Sequence, residues 1–150
     1  MGFTINWIYK EEEFTEDKIG DHYGFVYLIT NLSSGKKYIG KKFFYSSKTK
    51  QVKGKKKRIK VPSDWQSYYG SNTELQKDVI MLGEKSFKRE ILHLCKTKGW
   101  CSYYETKEQF VNDVLLKDDF YNNWIMCRVR KTHLKESNAG LPKANVSKKS

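Results

Sequence analysis

Residues 24–40 hold two short stretches rich in β-branched and aromatic residues, and a polar segment separates them. This pattern predicts a β-hairpin with strands at about 23–30 and 36–44. The turn residues are Asn31, Ser33, Ser34 and Gly35. Because side chains alternate along a strand, Tyr27 and Tyr38 are expected on one face of the sheet if they pair across this hairpin. Two phenols there indicate either simple packing or a site that handles protons or phosphate groups.

Positive charge is concentrated in the same part of the chain. The 150 residues carry a net charge of +12. Between His22 and Pro62 there are twelve Lys or Arg and no Asp or Glu, so the excess lies in this stretch. Such a run is often only a solvated loop, and it also occurs in localisation signals and at anionic membrane surfaces. Here it adjoins the paired tyrosines, which favours nucleic acid as the partner.

The predicted DNA contacts follow from this charge pattern. Lysines of the second strand and of the basic segment are expected to neutralise phosphate groups. They are Lys41, Lys48, Lys50, Lys53, Lys55, Lys56, Lys57 and Lys60. Tyr68 and Tyr69 are aromatic candidates for the same surface, and core packing or stacking beside Trp65 is the alternative for both.

Further along the chain, local signals predict two helices and a third strand. Residues 71–74 form a capping box that opens a helix ending near Leu82. The alternation over 87–94 predicts a strand. A second capping box at 102–105 predicts a helix that runs to about Leu116.

Together these elements predict an α+β fold of order β-β-α-β-α-α. It consists of a small three-stranded antiparallel sheet flanked by helices, with a long basic insertion after the second strand. Residues 1–21 are predicted to be an N-terminal lead-in, and residues 22–135 the folded domain. The insertion at about 45–63 lacks hydrophobic periodicity and is expected to be mobile without ligand. The basic tail, 136–150, is expected to be disordered.

Composition argues against several classes of protein. A chain of 150 residues is long enough for one domain with its own core. It has three cysteines, no apolar leader, and no apolar run near the ~20 residues that span a bilayer. These features predict a reduced, cytoplasmic protein that has no membrane segment and no evident protein partner.

Tyr27, followed by Leu-Ile-Thr-Asn, and the later Gly35-Lys-Lys-Tyr38-Ile-Gly40 resemble the two signature motifs of the GIY-YIG nuclease family. The second motif is intact, whereas Phe25-Val26-Tyr27 replaces the usual Gly-Ile-Tyr. The resemblance covers roughly residues 23–124 and is poor in the basic segment. It implies a DNA endonuclease that depends on Mg²⁺ or another divalent ion such as Mn²⁺, similar to a small phage or homing enzyme.

The resemblance also implies one glutamate, on a helix after the third strand, as the metal ligand. Glu108 is assigned this role because it lies between Tyr104 and Val111 on a predicted apolar helix face, where a carboxylate needs a partner. A buried salt bridge is the alternative. Glu105 is the second choice, since the capping box at Ser102 already accounts for it. A single carboxylate with waters and phosphate suits Mg²⁺.

The other site residues are assigned from the same resemblance. Tyr27, or Tyr38 through a water, is expected to accept a proton once nearby cations favour the phenolate. Arg58 and Lys42 are chosen in place of the arginine that the family carries on a helix, with Arg58 stabilising negative charge. Asn122 is expected to help arrange the site, or to be a turn residue with a local hydrogen bond.

Other interpretations stay open on the sequence alone. Zinc-ligand residue types are present, although their irregular spacing argues against a zinc site. They are His93, Cys95, Cys101, Cys127 and His133. A non-catalytic DNA- or RNA-binding protein on the same scaffold is the main rival to an enzyme. A structural or regulatory protein whose basic segment contacts an acidic partner is the third.

Overall fold

A five-stranded mixed sheet lies at the centre of the structure, a computed structural model that describes residues 5–135. The elements are β1 (Trp7–Tyr9), β2 (Glu12–Phe14), β3 (Gly24–Asn31), β4 (Lys37–Phe43), β5 (Tyr45–Val52), β6 (Lys55–Pro62), α1 (Thr73–Leu82), β7 (Phe87–Cys95), α2 (Lys98–Val111) and α3 (Lys131–Lys135). The strand order of the main sheet is β2-β1-β7-β3-β4, with β1 parallel to β7 and the other neighbours antiparallel. Strands β5 and β6 form a separate antiparallel pair.

The predicted three-stranded antiparallel sheet is wrong, because β1 and β2 extend it from the segment interpreted as a lead-in. Trp7 is 1% exposed, and its indole N–H donates to the Trp65 carbonyl at 2.9 Å. The Trp7 ring also packs edge-on against Phe25, with ring centroids 4.9 Å apart. The turn between the two strands uses Lys10 and Glu11, both with positive φ, and neither residue type signals such a turn in a sequence.

The predicted hairpin of β3 and β4 is present, and β3 is the most deeply buried strand. Phe25, Val26, Tyr27 and Ile29 are each at most 1% exposed, because both faces of β3 are covered. One face packs on an aromatic layer that includes Phe14, Phe44 and Trp65. The other face packs under α2, through Trp100 and Cys101. β4 is the edge strand of the sheet.

Helix α2 begins earlier than predicted. Its N-cap is Thr97, whose side chain accepts the Trp100 N–H at 3.2 Å, so the capping box at Ser102 does not start the helix. Burial of Trp100 against the sheet requires this additional turn. The helix ends at Val111, which is 69% exposed. Glu105 is therefore a mid-helix residue, and its position is not explained by capping.

Helix α1 starts close to the predicted position and ends where expected. Asn72 caps it by accepting the Leu75 N–H at 2.9 Å, a role expected for Ser71.

The segment interpreted as a mobile basic insertion forms the ribbon of β5 and β6. No helix in residues 5–135 is long and apolar enough to cross a membrane. The predicted disordered tail, 136–150, lies outside the described residues.

Candidate active site

The two motif tyrosines lie side by side on one face of the sheet, as the hairpin predicted. Tyr27 is opposite Gly40 and Tyr38 is opposite Ile29, so the rings are diagonal neighbours with centroids 6.2 Å apart. Gly40 makes room for this arrangement, because a Cβ atom there would lie 2.5 Å from the Tyr27 hydroxyl. Gly40, the glycine of the second motif, therefore leaves the space that the Tyr27 ring of the first motif needs.

The surroundings of the tyrosines hold them as neutral phenols. Burial raises the pKa of Tyr27 well above its usual value, and the neighbouring Tyr68 and Tyr38 raise it further. Burial also raises the pKa of Tyr38, whose hydroxyl lies 3.3 Å from the Ser71 hydroxyl. Both phenols are therefore hydrogen-bond donors at neutral pH. The raised pKa values therefore disfavour the phenolate that was expected to accept a proton.

Lys42 lies on the tyrosine face, as strand alternation predicted. Its Nζ is 2.6 Å from Asp64 and 4.1 Å from the centre of the Tyr68 ring. The Tyr68 ring in turn meets the Tyr27 ring edge-on, with centroids 6.0 Å apart. Lys42 holds the pKa of the exposed Asp64 carboxyl below its usual range. A phosphate placed near Lys42 would compete with this carboxylate.

Glu105, the second choice for the metal ligand, lies beside the tyrosine pair. It extends from α2 toward β4, where one of its oxygens is 3.1 Å from Lys41 Nζ. The Glu105 side chain is 14% exposed. Burial raises the pKa of this carboxyl, and Lys41 only partly counteracts that effect. Its negative charge also contributes to the raised pKa values of Tyr27 and Tyr38, so the three groups share one environment.

Glu108, the first choice, lies in a different place. Its Oε2 is 2.7 Å from His93 Nε2, and its Oε1 accepts a hydrogen bond from the Asn112 amide at 3.3 Å. It lines neither of the clefts described below. The predicted apolar face around it is not buried, because Val111 and Leu115 are 69% and 47% exposed. Glu108 is thus hydrogen-bonded to His93, and its side chain is 27% exposed, whereas the alternative interpretation expected a buried salt bridge.

Two adjoining clefts meet at the tyrosines and share Tyr38, Lys41, Ser71 and Glu105. The first continues between α2 and the segment after Phe120, and the second continues toward the base of the β5–β6 ribbon. Residues that line only the first include Asn72, Gln109, Asn122, Asn123 and Trp124. Residues that line only the second include Tyr27, Gly40, Lys42, Tyr45 and Ser63. Hydroxyl, amide, ammonium and carboxylate groups thus converge in one open, polar space.

Asn122 holds the second motif in place from the outer side of the edge strand. Its Oδ1 accepts the Ile39 N–H at 3.1 Å, and its amide donates to the Ile39 carbonyl at 2.9 Å. The Gln109 amide donates to the same carbonyl at 3.0 Å. These bonds satisfy the free edge of β4 beside Tyr38. Gln109 was not predicted, although it lies one helical turn after Glu105 and therefore on the same face.

Several predicted site residues lie elsewhere. Arg58 is opposite Thr49 on the ribbon and lines neither cleft, so the structure does not bring it to the tyrosines. Tyr69 is buried, and the Arg89 guanidinium lies 4.1 Å from its ring centre, so it belongs to the core. Arg89 was not predicted to matter. It donates to the Tyr68 carbonyl at 2.8 Å and thereby fixes the segment that carries the Tyr68 ring.

The zinc alternative finds no support in the described residues. Between residues 5 and 135 there is no cluster of three His, Cys, Asp or Glu side chains that could hold a metal ion. His93 pairs with Glu108, while Cys95 and Cys101 are buried free thiols between the sheet and α2.

Paired phenols, a half-buried carboxylate and two lysines therefore surround adjoining clefts at the edge of the sheet. Comparison with known proteins identifies the class of protein. The family model described as "Putative endonuclease segE, GIY-YIG domain" matches residues 7–125. The protein named "Putative endonuclease segE" of Enterobacteria phage T4 is 34% identical to the chain over 101 residues. That alignment covers 67% of this chain and 40% of the phage protein, and no solved structure matches the chain.

The chain therefore belongs to the GIY-YIG endonuclease family, and the resemblance read from the two motifs is confirmed. The match begins at residue 7, so the family domain includes the β1–β2 hairpin that the sequence did not predict.

Proposed function

We propose that the protein is a divalent-metal-dependent endonuclease that hydrolyses phosphodiester bonds of DNA. The observation that carries the proposal is the convergence of Tyr27, Tyr38, Glu105 and Lys41 on one cleft. Family membership supports the reaction class, and the excess of positive charge beside the cleft supports a polyanionic substrate. The likeness to the phage T4 protein supports a phage-type enzyme, and a homing role is the further part of this proposal.

The residues of the cleft fit Mg²⁺, with Glu105 as the residue that would hold it. Mg²⁺ prefers oxygen ligands, retains several waters, and is commonly bound by one or two carboxylates together with substrate phosphate. Glu105 supplies one such carboxylate, and the hydroxyls of Tyr38 and Ser71 lie in the same cleft. A bound ion would neutralise charge on the phosphate and on the departing oxygen. We assign this role to Glu105 rather than to Glu108, because Glu105 lines both clefts and Glu108 lines neither.

The chain's own groups would bind and orient the reacting groups. Lys41 and Lys42 supply positive charge on two sides of β4, close to the tyrosines. The neutral phenol of Tyr38, at the surface of the cleft, is placed to donate to a phosphate oxygen or to a water. Tyr27 lies beneath it and is almost wholly buried, so its hydroxyl has a fixed position. Such preorganised donors stabilise charge as it develops on the phosphate.

The test is cleavage of supercoiled plasmid by the purified chain with Mg²⁺ or Mn²⁺. We expect nicked or linear product that EDTA prevents. Tyr27→Phe should lower the cleavage rate by about 100-fold or more, as loss of one preorganised donor does elsewhere. The matched control is Tyr69→Phe, because Tyr69 is also a buried tyrosine but packs on Arg89 outside the cleft. Binding of DNA without cleavage under either metal would contradict the proposal and support a non-catalytic DNA-binding protein.

A further inference from the structure

The β5–β6 ribbon is exposed to solvent on both faces. Of residues 45–62, only Tyr45, Ile59 and Val61 are half-buried, and the rest are exposed. Lys53 and Gly54 form its turn with φ values of 50° and 80°, which is the geometry of a tight hairpin turn. The ribbon thus contributes little to the core of the domain.

The positive charge of the ribbon favours a polyanionic partner. It carries eight cations and no acidic residue: Lys48, Lys50, Lys53, Lys55, Lys56, Lys57, Arg58 and Lys60. Among the described residues, none of the ion pairs in the structure involves these eight side chains. Like charges on a narrow two-stranded element repel one another, and a polyanion removes that repulsion.

The two faces of the ribbon carry different residue types. The strand register places Thr49 opposite Arg58 and Gln51 opposite Lys56, so these four side chains share one face. Ser47 and Lys60 lie on this same face, whereas the other face combines the remaining strand lysines with aliphatic side chains. Its members are Ser46, Lys48, Lys50, Val52, Lys55, Lys57, Ile59 and Val61. Thr49, Gln51 and Arg58 on the first face can form directional hydrogen bonds, whereas every cation of the second face is a lysine, a flexible point charge.

We infer that the ribbon enters the major groove of duplex DNA and reads bases with Thr49, Gln51, Lys56 and Arg58. The major groove is about 12 Å wide and admits a two-stranded ribbon. Arginine forms paired hydrogen bonds with guanine, glutamine does so with adenine, and the threonine methyl contacts thymine. Lysines of the opposite face and the turn then meet the phosphates. The inference rests on the proposed function in taking duplex DNA as the substrate.

The ribbon is joined directly to the candidate active site. Tyr45 and Ser46 at its start, and Ser63 just after its end, line the same cleft as Tyr27 and Glu105. Eight residues of strand at about 3.3 Å each extend roughly 26 Å from this point. At 3.4 Å per base pair, bases read by the ribbon lie up to about eight base pairs from the bond in the cleft.

The test measures binding by the full chain to a random-sequence duplex DNA library in EDTA, so that no DNA is cut. The wild type should select a preferred sequence. Arg58→Ala should weaken binding to that sequence by about 10- to 100-fold and relax preference at one position. Lys57→Ala, its neighbour on the other face, should weaken binding evenly across sequences and lower the salt dependence by about one counterion. Both residues are exposed, so neither change should unfold the protein.

Chemical probing identifies the groove. Methylation of guanine N7, a major-groove atom, should interfere with binding inside the preferred sequence. Duplex RNA should bind more weakly, because its major groove is too narrow for the ribbon. Arg58→Ala and Lys57→Ala with identical binding profiles, no effect of N7 methylation, or equal affinity for duplex RNA would each overturn the inference.

Parallel cleavage assays with Mg²⁺ separate this inference from the proposed function. An Arg58-dependent base preference without cleavage overturns the proposed function alone. Cleavage without any Arg58-dependent preference overturns the role of the ribbon alone.

Discussion

At the residue scale, Glu105 and Glu108 differ by less than one helical turn and have different surroundings. Glu105 meets Lys41 beside the tyrosine pair, whereas Glu108 meets His93 on β7. We expect Glu105→Gln to lower the cleavage rate by about 100-fold or more, since even outer partners of metal ligands commonly contribute 10- to 100-fold. Glu108→Gln is the matched control, and its rate should stay within about 3-fold of the wild type. The reverse order of these effects would restore Glu108 as the metal ligand.

The pKa of Glu105 gives a second prediction, on stability. Because burial raises this pKa in the folded protein above the usual glutamate value, the folded state holds the proton more tightly than the unfolded state. The carboxyl therefore favours folding at low pH, and this contribution is lost as pH rises from the usual value through the raised one. Glu105→Gln should remove that loss, so the variant should be more stable than the wild type at neutral pH. Urea unfolding at about pH 4 and pH 7 measures it.

A stability curve for Glu105→Gln that runs parallel to the wild type across this pH range would contradict the assignment. If Glu105→Gln is more stable than the wild type and has lost cleavage, Glu105 contributes to activity at a cost in stability.

At the scale of elements, the sequence predicted β3, β4 and β7, which carry strong local patterns, and missed the strands of the β1–β2 hairpin and of the basic ribbon. The β3–β4 hairpin has alternating aromatic residues and a polar turn, so both strands were predicted. The β1–β2 hairpin has only three residues per strand, and the burial of Trp7 against Trp65, far along the chain, stabilises it. No local pattern reports such a contact.

The start of α2 shows the same limit and explains why the sequence favoured Glu108 over Glu105. Ser102 and Glu105 match a capping box, whereas Thr97 lacks the matching Glu or Gln three residues later. Packing of Trp100 on the sheet decides between the two starts, and it places Glu105 toward β4. The two tyrosines, Lys42 and Asn122 were found from motif spacing and strand alternation, which are local. Gln109 and Arg89 were missed, because their roles depend on which backbone atoms lie opposite them.

A substitution of Asn122 tests whether the hydrogen bonds at the edge of β4 hold Tyr38 in position. Asn122→Ala removes both hydrogen bonds to Ile39 and should lower the free energy of unfolding by about 1–3 kcal/mol. Cleavage should also fall at temperatures where the variant is still folded, because Tyr38 adjoins Ile39. Asn123→Ala is the control for stability, since Asn123 is exposed and should change the unfolding free energy by less than about 0.5 kcal/mol. Equal unfolding free energies for the two variants would remove Asn122 as a positioning residue.

At the scale of the whole molecule, charge and core are segregated. The core consists of the five-stranded sheet with α2 and the aromatic layer, and the ribbon of residues 45–62 lies outside it. The ribbon holds eight of the cations, so its removal would lower the net charge from +12 to +4. Folding and DNA binding should therefore depend on different parts of the chain. Deletion of the ribbon tests this separation.

Replacement of residues 46–61 by a short Asn-Gly turn should leave the fold intact, because those residues are exposed or only half-buried. We expect a melting temperature within about 4 °C of the wild type, the shift that ~1 kcal/mol produces in a domain of this size. Affinity for duplex DNA should fall, and the slope of log K against log salt should become shallower by up to about 7, from 0.9 per phosphate for eight cations. Fluorescence anisotropy over a salt series measures both quantities. An unchanged slope with a shorter ribbon would show that other cations of the chain hold the DNA.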